Sequence, residues 1–546
     1  MSGFPVLTVL IFLPVVAALV CLAVPGDDTA RAVVRPLALA VTVVTLILGA
    51  LMLAYFPDGA TGLRYEEQAA WIPQLGVTYH LGVDGLSVLL VALTPLLATV
   101  AMLASWEAMA ARPRLFAAFI LLLEGSVIGA LCALDLILYF VFWEAMLVPL
   151  YLLIGAFGGP RRGAAALKFF IYTSVGSLLM FLAILTLAFL HADRVPGAST
   201  SFALADLIGT PMSPALQTWL FLAFALAFAI KVPLFPLHSW LPDAYTQAPV
   251  TILVLATMMV KVGAYSFLRF AMPLFPRAAA DVMPILGILA VIGIIYGGWI
   301  AARQRDMVRL LAYSSIAHLG FIALGIFALD QQSVQGSVLQ MVNHGLSSGA
   351  LFLLAGMLAT RAGSYDLDRL GGLQRRWPVL FGFFMLAAFS SLGLPGLNGF
   401  VGEFLILLGA FQTQRVLAIV ATFGVLIAAI YLLRLFGRAM HGPERLPAPT
   451  DAAADRGATP LLGDLSLREI VALAPLAIMI VWLGVYPAPF LRRTEGAVRQ
   501  TLAAVQAARP APAADQLVIR CDAAGAGPDS AATAARSEAC VSALHR

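Results

Sequence analysis

Charged residues are scarce in this sequence, and the scarcity limits what kind of protein it can be. Only 11% of the 546 residues are charged, whereas 61% are hydrophobic. Soluble globular domains carry about a quarter charged residues. A single core cannot bury so much apolar surface, but a lipid bilayer can surround it. The composition therefore excludes an ordinary soluble protein and favours one that lies in a membrane.

Cysteines and nucleotide-binding patterns are also sparse. The four cysteines form no Cys-x-x-Cys pair, and neither a Gly-x-Gly-x-x-Gly turn nor a P-loop occurs. We therefore expect no site for a metal, nucleotide, flavin, haem or iron–sulfur cluster in this chain. Cys21 and Cys132 lie in apolar stretches and are interpreted as packing residues. Cys521 and Cys540 lie in the C-terminal tail, and the sequence leaves open whether they form a disulfide.

Apolar runs of roughly 20 residues recur along the chain, which is the length that a helix needs to cross a bilayer. They predict an all-α polytopic membrane protein, with β structure disfavoured because open sheet edges are not tolerated in lipid. The first run lacks a basic start and a small-residue cleavage site, so we interpret it as a retained helix. We predict fourteen transmembrane helices, near residues 5–24, 34–56, 84–106, 114–133, 135–157, 164–190, 214–245, 249–272, 281–301, 307–328, 333–360, 377–412, 416–440 and 467–489.

Arginines are distributed unevenly between the two ends of these predicted helices. With the connections numbered alternately and the tail left out, 18 arginines fall on one side and 5 on the other. Arginine-rich connections remain cytoplasmic. The sparse, external set is Arg64, Arg194, Arg269, Arg277 and Arg415. Both termini are then predicted to face the outside, which is the periplasm if the protein lies in a bacterial inner membrane.

Two stretches of five predicted helices share one plan. In each stretch the fourth helix is broken, at Pro233 in the first and at the Gly393–Gly399 segment in the second. Matching interruptions are typical of transporters built from repeats, and an odd number of helices makes the two repeats inverted. The predicted organisation is three helices in 1–113, five-helix units in 114–272 and 273–440, a cytoplasmic loop in 441–466, a last helix in 467–490, and a frayed or weakly helical tail in 491–546.

Lysine is the rarest charged residue, and its positions are unusual. The chain has 30 arginines but only three lysines, Lys168, Lys231 and Lys261, and each lies inside or at the end of an apolar run. A lysine at mid-membrane costs roughly 2.5–3.5 kcal/mol on the insertion scale. A buried lysine can lose its proton near neutral pH, whereas an arginine stays protonated. This pattern favours proton carriers at Lys231 and Lys261; the alternative is an ion pair that only locks helices. Lys168 is near Arg161 and Arg162 and can extend to the surface.

Prolines surround one of these lysines. Pro233 removes the hydrogen bond to the carbonyl of Ala229, and Pro236 removes the one to Val232. Carbonyls freed at membrane depth need polar partners or water, and they stabilise a nearby cation. The break therefore predicts a polar site at Lys231, with a kink that serves only packing as the alternative.

Further titratable residues lie in other apolar runs. Glu144 is mid-span and is expected to partner Lys231, and Asp135 begins the same span. Glu124 is mid-span in the preceding helix, where a side branch and a structural hydrogen bond are equally consistent with the sequence. His318 and His344 lie in successive spans after Lys261, Glu403 follows the second break, and His238 follows the first. Their order along the chain predicts a row of proton-binding sites, because histidine can relay protons near neutrality. The row is Glu144, Lys231, Lys261, His344 with His318, and Glu403.

Five segments carry a resemblance to a known family. The segments are FVFWEAMLVPLYLLIG, AIKVPLFPLHSWLPDAYTQAPV, MMVKVGAYSFLRF, LLAYSSIAHLGFI and GLPGLNGFVGEFLIL. They resemble the antiporter-like subunits of proton-pumping NADH:quinone oxidoreductase, respiratory complex I. The resemblance runs over about residues 80–440. It implies fourteen helices, two inverted units and a proton channel. It also implies that Glu144 and Lys231 form a pair, that Lys261 is the central carrier, that His318 and His344 connect, and that Glu403 ends the row.

The resemblance also implies partners and alternatives. In most chains of the family the terminal residue is lysine; a glutamate such as Glu403 is typical of one of the three, and the stretch after about residue 490 lacks the amphipathic pattern of another chain's lateral helix. The implied neighbours are the two flanking antiporter-like chains, that lateral helix and the bilayer, without nucleic acid. NADH, FMN, iron–sulfur clusters and quinone are implied to bind in other subunits, so this chain would belong to a translocase without a redox site of its own. The alternatives are a subunit of a multisubunit Na⁺/H⁺ antiporter or of a related redox-driven pump.

Overall fold

The computed structural model describes residues 4–446 and 463–508, and within these ranges the chain is a bundle of long helices. Residues 447–462 of the predicted loop, and the tail beyond 508 with Cys521 and Cys540, lie outside the described residues. The first part of the chain forms α1 (Val6–Ala23), α2 (Asp27–Ala54), β1 (Arg64–Ile72), β2 (Val77–Val83), α3 (Val88–Ala104), α4 (Pro113–Cys132), α5 (Leu136–Ala145), α6 (Leu147–Phe157), α7 (Arg162–Arg194), α8 (Leu204–Leu207), α9 (Pro214–Lys231) and α10 (Trp240–Gln247).

The second part continues the helical pattern. It forms α11 (Leu253–Ser266), a π-helical turn (Phe267–Ala271), α12 (Met272–Leu274), α13 (Pro276–Arg303), α14 (Met307–Phe327), α15 (Gln331–Ala362), α16 (Pro378–Leu392), α17 (Asn398–Thr413), α18 (Arg415–Met440), α19 (Leu467–Val485) and α20 (Ala488–Ala508). Short 3-10 turns at Pro73–Leu75, Ala108–Ala110, Val250–Ile252 and Leu367–Arg369 lie in the connections.

The ends of these helices follow local sequence signals. Asp135, Asp306, Asp330 and Ser466 each accept a hydrogen bond from a backbone N–H of the first turn that follows. Such caps satisfy donors that the helix itself cannot. Pro113, Pro276 and Pro378 begin helices, where the missing N–H of proline has no cost.

The helices are long enough for a membrane protein. In the ranges described, twelve spans have the length and apolar composition to cross a bilayer, and the shorter α3 and α16 are also apolar. This confirms the predicted all-α polytopic class, while the number fourteen and the inverted repeats stay predictions. Cys21 and Cys132 are fully buried in the core, which agrees with a packing role.

Both predicted breaks are present. The first separates α9 from α10 between Lys231 and Trp240, and the second separates α16 from α17 between Leu392 and Asn398. Two further irregularities were not predicted: a turn at Met146 divides 136–157 into α5 and α6, and the π-helical turn follows α11. Three of these four segments therefore lie close to a predicted site residue. The first break follows Lys231, the turn at Met146 follows Glu144, and the second break precedes Glu403.

One expectation about β structure was wrong. β1 and β2 form an antiparallel hairpin between α2 and α3. The backbone N–H of Leu134 donates to the carbonyl of His80, which ties β2 to the connection between α4 and α5. The hairpin lies in a connection between two spans. The rule that open sheet edges are not tolerated in lipid applies to segments that cross the bilayer, so it does not exclude this hairpin.

The tail was predicted to be frayed or weakly helical, and within the described range it is helical. α20 continues to Ala508, and its buried residues Phe490, Thr494, Ala497, Val498, Leu502 and Val505 share one face. The backbone of Gly59 donates to the carbonyl of Arg492 at 2.9 Å, so α20 lies on the same face of the bundle as the hairpin segment. The apolar positions are spaced as in an amphipathic helix, which was the signal in the sequence that we undervalued.

Of two positive residues near the row, Arg269 is placed differently from the expectation, whereas Lys168 reaches the surface as expected. Arg269, which we predicted to be an external loop charge, is buried in the π-helical turn and pairs with Asp84. Lys168 donates to Asp243 at 2.7 Å and to the carbonyl of Ser239 at 2.9 Å, both at the start of α10. Lys168 therefore fastens α10 to α7 and is set apart from the predicted row.

Candidate functional site

The centre of the predicted row is a contact between α11 and α15. Lys261 and His344 are fully buried, and the Lys261 Nζ atom lies 3.0 Å from the Nδ1 atom of His344. An ammonium has only donors, so a protonated Lys261 requires Nδ1 to accept and places the proton of a neutral His344 on Nε2. That Nε2 atom is buried with no hydrogen-bond partner among the described residues. The histidine thus has one nitrogen fixed by lysine and the other free to exchange a proton.

A second contact joins α14 to α17 beyond the second break. The Nδ1 atom of His318 lies 2.8 Å from Oε1 of Glu403, with both side chains almost fully buried. Gln340 donates to the same oxygen at 3.2 Å. The hydroxyl of Tyr431 lies 3.4 Å from Nε2 of His318. His318, rather than His344, is therefore the residue that contacts Glu403.

The two contacts are adjacent to each other. The ring centres of His318 and His344 are 5.9 Å apart. A small cavity of about 10 Å³ lies beside them, lined by His318, Gln340, Asn343, His344, Ser347, Ser348, Ser390, Ser391 and Gly399. A cavity with several polar partners can hold ordered water. Lys261, His344, His318 and Glu403 thus form one continuous polar region.

Hydroxyl and amide groups extend this region toward the second break. Ser390 donates to the side-chain oxygen of Asn398 at 2.5 Å and shares a hydrogen bond with Ser347. Asn343 donates to the carbonyl of Asn398 at 2.7 Å and to the side chain of Gln340. The sequence analysis did not identify Gln340, Asn343 and Asn398. Polar amides inside apolar runs were the available signal.

Lys231 lies at the first break but not where the sequence indicated. Its Nζ atom donates to the carbonyl of Trp143 at 3.0 Å and lies 3.7 Å from the centre of the Trp143 ring. The carbonyl of Ala229 accepts from the backbone of Leu234, and that of Ile230 accepts from the indole of Trp240. The expectation that the lysine lies between two freed carbonyls of its own helix is therefore wrong for Ala229. A carbonyl of the α5 helix stabilises the cation instead.

Glu144 is next to the residue that binds this lysine, yet the structure does not join the two side chains by a hydrogen bond. The Oε1 atom of Glu144 is buried with no hydrogen-bond partner in the described part of the chain. The expected Glu144–Lys231 ion pair is therefore not formed in the structure, and the two side chains are in a separated arrangement. His238 is stacked on Phe235 with ring centres 5.6 Å apart, and its Nδ1 atom is likewise buried and unpartnered among the described residues.

Two of the predicted residues lie apart from the row. Glu124 is fully buried between α4 and α2, where the hydroxyl of Thr45 lies 2.6 Å from its Oε1 atom. Asp135 caps α5 and also accepts hydrogen bonds from the backbone and the hydroxyl of Thr78. The geometry of Asp135 is that of a helix cap joined to the hairpin.

The arrangement is suited to proton transfer rather than to metal chemistry. Lysine, histidine and carboxylate side chains alternate through a buried interior, and each can bind and release a proton. Across residues 4–446 and 463–508, no group of three or more His, Cys, Asp or Glu side chains could hold a metal ion. A sequence of titratable groups with hydroxyls and a polar cavity between them is what a proton path requires.

Comparison with known proteins identifies the relatives of this chain. Residues 133–428 match the profile of the family described as NADH:quinone oxidoreductase/Mrp antiporter, TM. NADH-quinone oxidoreductase subunit M of Pseudomonas aeruginosa is 42% identical over 496 residues, which cover 88% of this chain and 94% of that protein. A chain in the structure of respiratory complex I from Thermus thermophilus with bound NADH is 32% identical, with a TM-score of 0.81, and the match covers 91% of this chain and 99% of that one. A chain of the Mrp complex from Dietzia, at 22% identity and a TM-score of 0.79, shares the fold; that match covers 93% of this chain and all of that one.

Proposed function

The chain belongs to the NADH:quinone oxidoreductase/Mrp antiporter transmembrane family, among the proteins named NADH-quinone oxidoreductase subunit M, and from this we propose that it translocates protons across the membrane for such a complex. Quinone reduction elsewhere in the complex would drive the transfer. The observation that carries the proposal is the buried sequence of contacts Lys261–His344 and His318–Glu403, with the two histidine rings 5.9 Å apart.

The proposed path begins at the first break. The separated arrangement of Glu144 and Lys231 alternates with a paired one, and pairing holds the proton on Lys231 because an opposite charge favours the charged form. Lys231 Cβ would lie 3.1 Å from a Cβ placed on Gly263, so α9 ends directly against the helix of Lys261. A change of charge at Lys231 therefore acts on Lys261 through a short, buried separation.

The proton then moves along the second part of the row. Lys261 passes it to Nδ1 of His344, and the proton on Nε2 of His344 leaves through the cavity toward His318. His318 and Glu403 form the end of the row, from which the proton exits. His238 is proposed to assist at the first break, and Glu124 and Asp135 have supporting roles outside the row.

The wider setting is part of the same proposal. Residues 114–272 and 273–440 would be the two inverted half-channels, with the arginine-rich connections in the cytoplasm and both termini in the periplasm. Other membrane subunits, including two flanking antiporter-like chains and a lateral helix of the distal one, would contact this chain. NADH, FMN, clusters and quinone would bind elsewhere. The likeness to the Mrp complex at 22% identity shows the fold alone and so does not favour sodium transport.

Replacement of Glu144 with Gln tests the proposal. Loss of the negative charge prevents the paired state, so we expect pumping coupled to NADH oxidation in membranes to fall by about tenfold or more, because a nearby opposite charge changes a proton affinity by about tenfold or more. Glu495→Gln, in an exposed pair with Arg499 on α20, is the matched control and should pump normally. Near-normal pumping by Glu144→Gln would remove Glu144 from the mechanism. Transport that depends on sodium would favour the antiporter alternative.

A further inference from the structure

A buried ion pair joins the start of α3 to the π-helical turn after α11. The Nη2 atom of Arg269 donates to Oδ1 of Asp84, and only about a tenth of either side chain is exposed. The Nε atom of Arg269 donates to the hydroxyl of Tyr265 at 2.7 Å. The hydroxyl of Tyr265 in turn donates to the carbonyl of Leu131 at the end of α4. The guanidinium is thus held by two fixed partners from two directions.

Asp84 is itself held by the helix that it begins. Its Oδ1 atom accepts from the backbone N–H of Leu86 at 2.9 Å and of Ser87 at 3.4 Å. Its carbonyl accepts from the backbone of Ser87 and Val88, the first donors of α3. A carboxylate bound in this way cannot follow Arg269 without disturbing the start of α3. The pair therefore ties the π-helical turn to α3 at a fixed place.

Arg269 is eight residues beyond Lys261 on the same helical segment, about 12 Å along the axis at 1.5 Å per residue. Tyr265 lies between them, one turn from each. The hydroxyl of Ser266 donates to the carbonyl of Val262 and also meets the hydroxyl of Tyr139 at 2.6 Å. A π-helical turn interrupts the regular helical hydrogen bonds and is frequent at functional sites. The side-chain contacts of Tyr265, Ser266 and Arg269 hold the helix at this turn and just before it.

α3 also reaches the central contact of the row, through Leu93 in the first half of the helix. Gly345 follows His344, and a Cβ placed on Gly345 would lie 2.9 Å from Leu93 of α3 and 3.7 Å from Cε of Lys261. The helices α3, α11 and α15 therefore converge at Lys261 and His344. A tie between α3 and the segment after α11 acts on the same group of helices that sets the distance between Lys261 and His344.

We propose that Asp84 and Arg269 are positioning residues: their buried ion pair clamps the π-helical turn to α3 and so fixes Lys261 against His344. Arginine suits this task because it stays charged when buried and presents a rigid fork, whereas the lysines of the row must release protons. The inference rests on the proposed function, since it assigns a role that supports proton transfer at Lys261. Neither residue lies within the row itself.

Asp84→Asn tests the clamp in the whole complex reconstituted in vesicles. Two quantities are measured: NADH oxidation in the presence of an uncoupler, and the number of protons translocated per NADH. We expect oxidation to stay close to wild type, and protons per NADH to fall at least about twofold, because removal of one partner leaves the guanidinium buried and unpaired. Asp84→Glu keeps the charge and should restore most of the ratio. Glu107→Gln, in an exposed pair with Arg468, should change neither quantity.

The outcomes separate the clamp from a role in stability alone. A wild-type ratio of protons per NADH in the assembled Asp84→Asn complex would overturn the clamp, and so would a loss of assembly with the ratio unchanged in what remains. If Asp84→Asn does not assemble at all, Arg269→Lys keeps the charge and loses the fork, and an unchanged ratio for that variant would refute the clamp. Glu144→Gln measured alongside distinguishes the two proposals: normal pumping by that variant counts against the proposed path, whatever Asp84→Asn does.

Discussion

The two broken helices hold their ionisable residues in different surroundings. At the first break Lys231 is bound by neutral partners, the carbonyl and the ring of Trp143, and the carboxylate of Glu144 has a buried oxygen without a hydrogen-bond partner in the described ranges. At the second break Glu403 is bound by His318 at 2.8 Å and by Gln340. We call the first break the open site, because Lys231 forms no hydrogen bond with a titratable group there among the residues that the structure describes. We call the second break the closed site, because Glu403 contacts the titratable ring of His318.

The difference shows how one structural plan can serve two steps. A lysine on neutral partners can release its proton without separating an ion pair, so the first break is prepared for exchange. The buried carboxylate of Glu403 stays in contact with His318, because a buried charge that loses its partner is strongly destabilised. The first break therefore has the surroundings of a site that changes charge readily, and the second those of a site that holds its charge until the exit step. Substitutions at each break can sharpen or abolish this contrast.

The largest effect is expected from Lys231→Arg. Arginine can still donate to the carbonyl of Trp143 and lie over its ring, but it does not release its proton. If the open site works by proton exchange, protons pumped per NADH should fall by about tenfold or more. The measurement is proton uptake by vesicles with the assembled complex, normalised to the rate of NADH oxidation.

Lys168→Arg is the matched control, because Lys168 pairs with Asp243 at the surface end of α10 and has no place in the row. Near-normal pumping is expected for that variant. If Lys231→Arg pumped as well as its control, the lysine would serve only to lock α9 against α5, and the contrast between the two breaks would lose its functional meaning.

A smaller effect is expected from Glu403→Gln at the closed site. The amide keeps an oxygen for His318 but removes the negative charge, so the pair loses its charge and keeps part of its hydrogen bonding. We expect pumping per NADH to fall by about three- to eightfold, on the order of 1 kcal/mol, with Glu403→Asp intermediate. A fall as large as that of Lys231→Arg would show that both breaks exchange protons in the same way.

Sequence alone located the titratable residues but not their partners. The cost of charge in an apolar run was enough to identify Lys231, Lys261, His344 and Glu403. Which of two histidines contacts Glu403 depends on how α14, α15 and α17 pack, and no spacing along one helix encodes that. The carbonyl of Trp143 likewise belongs to a backbone that sequence patterns do not distinguish from its neighbours.

The features that were missed have a common cause. Asp84 and Arg269 lie at the ends of apolar runs, where a charge is ordinarily at the surface, so their burial against each other was not predictable from position. The hairpin in 64–83 and the helix α20 lie outside the long apolar runs on which the prediction depended. Long apolar runs predict the membrane-crossing helices of this chain well. No comparably strong sequence pattern marks segments such as the hairpin and α20, which pack on one face of the bundle.

The smallest effect is expected at a glycine beside the closed site. A Cβ on Gly402 would lie 2.2 Å from Oε1 of Gln340 and 2.9 Å from Nδ2 of Asn343, so Gly402→Ala must displace the Gln340 amide from Glu403. Since one hydrogen bond of about 1 kcal/mol is weakened and the His318 contact remains, pumping per NADH should fall by roughly two- to five-fold. Gly382→Ala is the control on α16, since a Cβ there meets nothing within 4 Å. Equal pumping by the two variants would show that Gln340 does not help to hold the closed state, and that His318 alone accounts for the difference between the breaks.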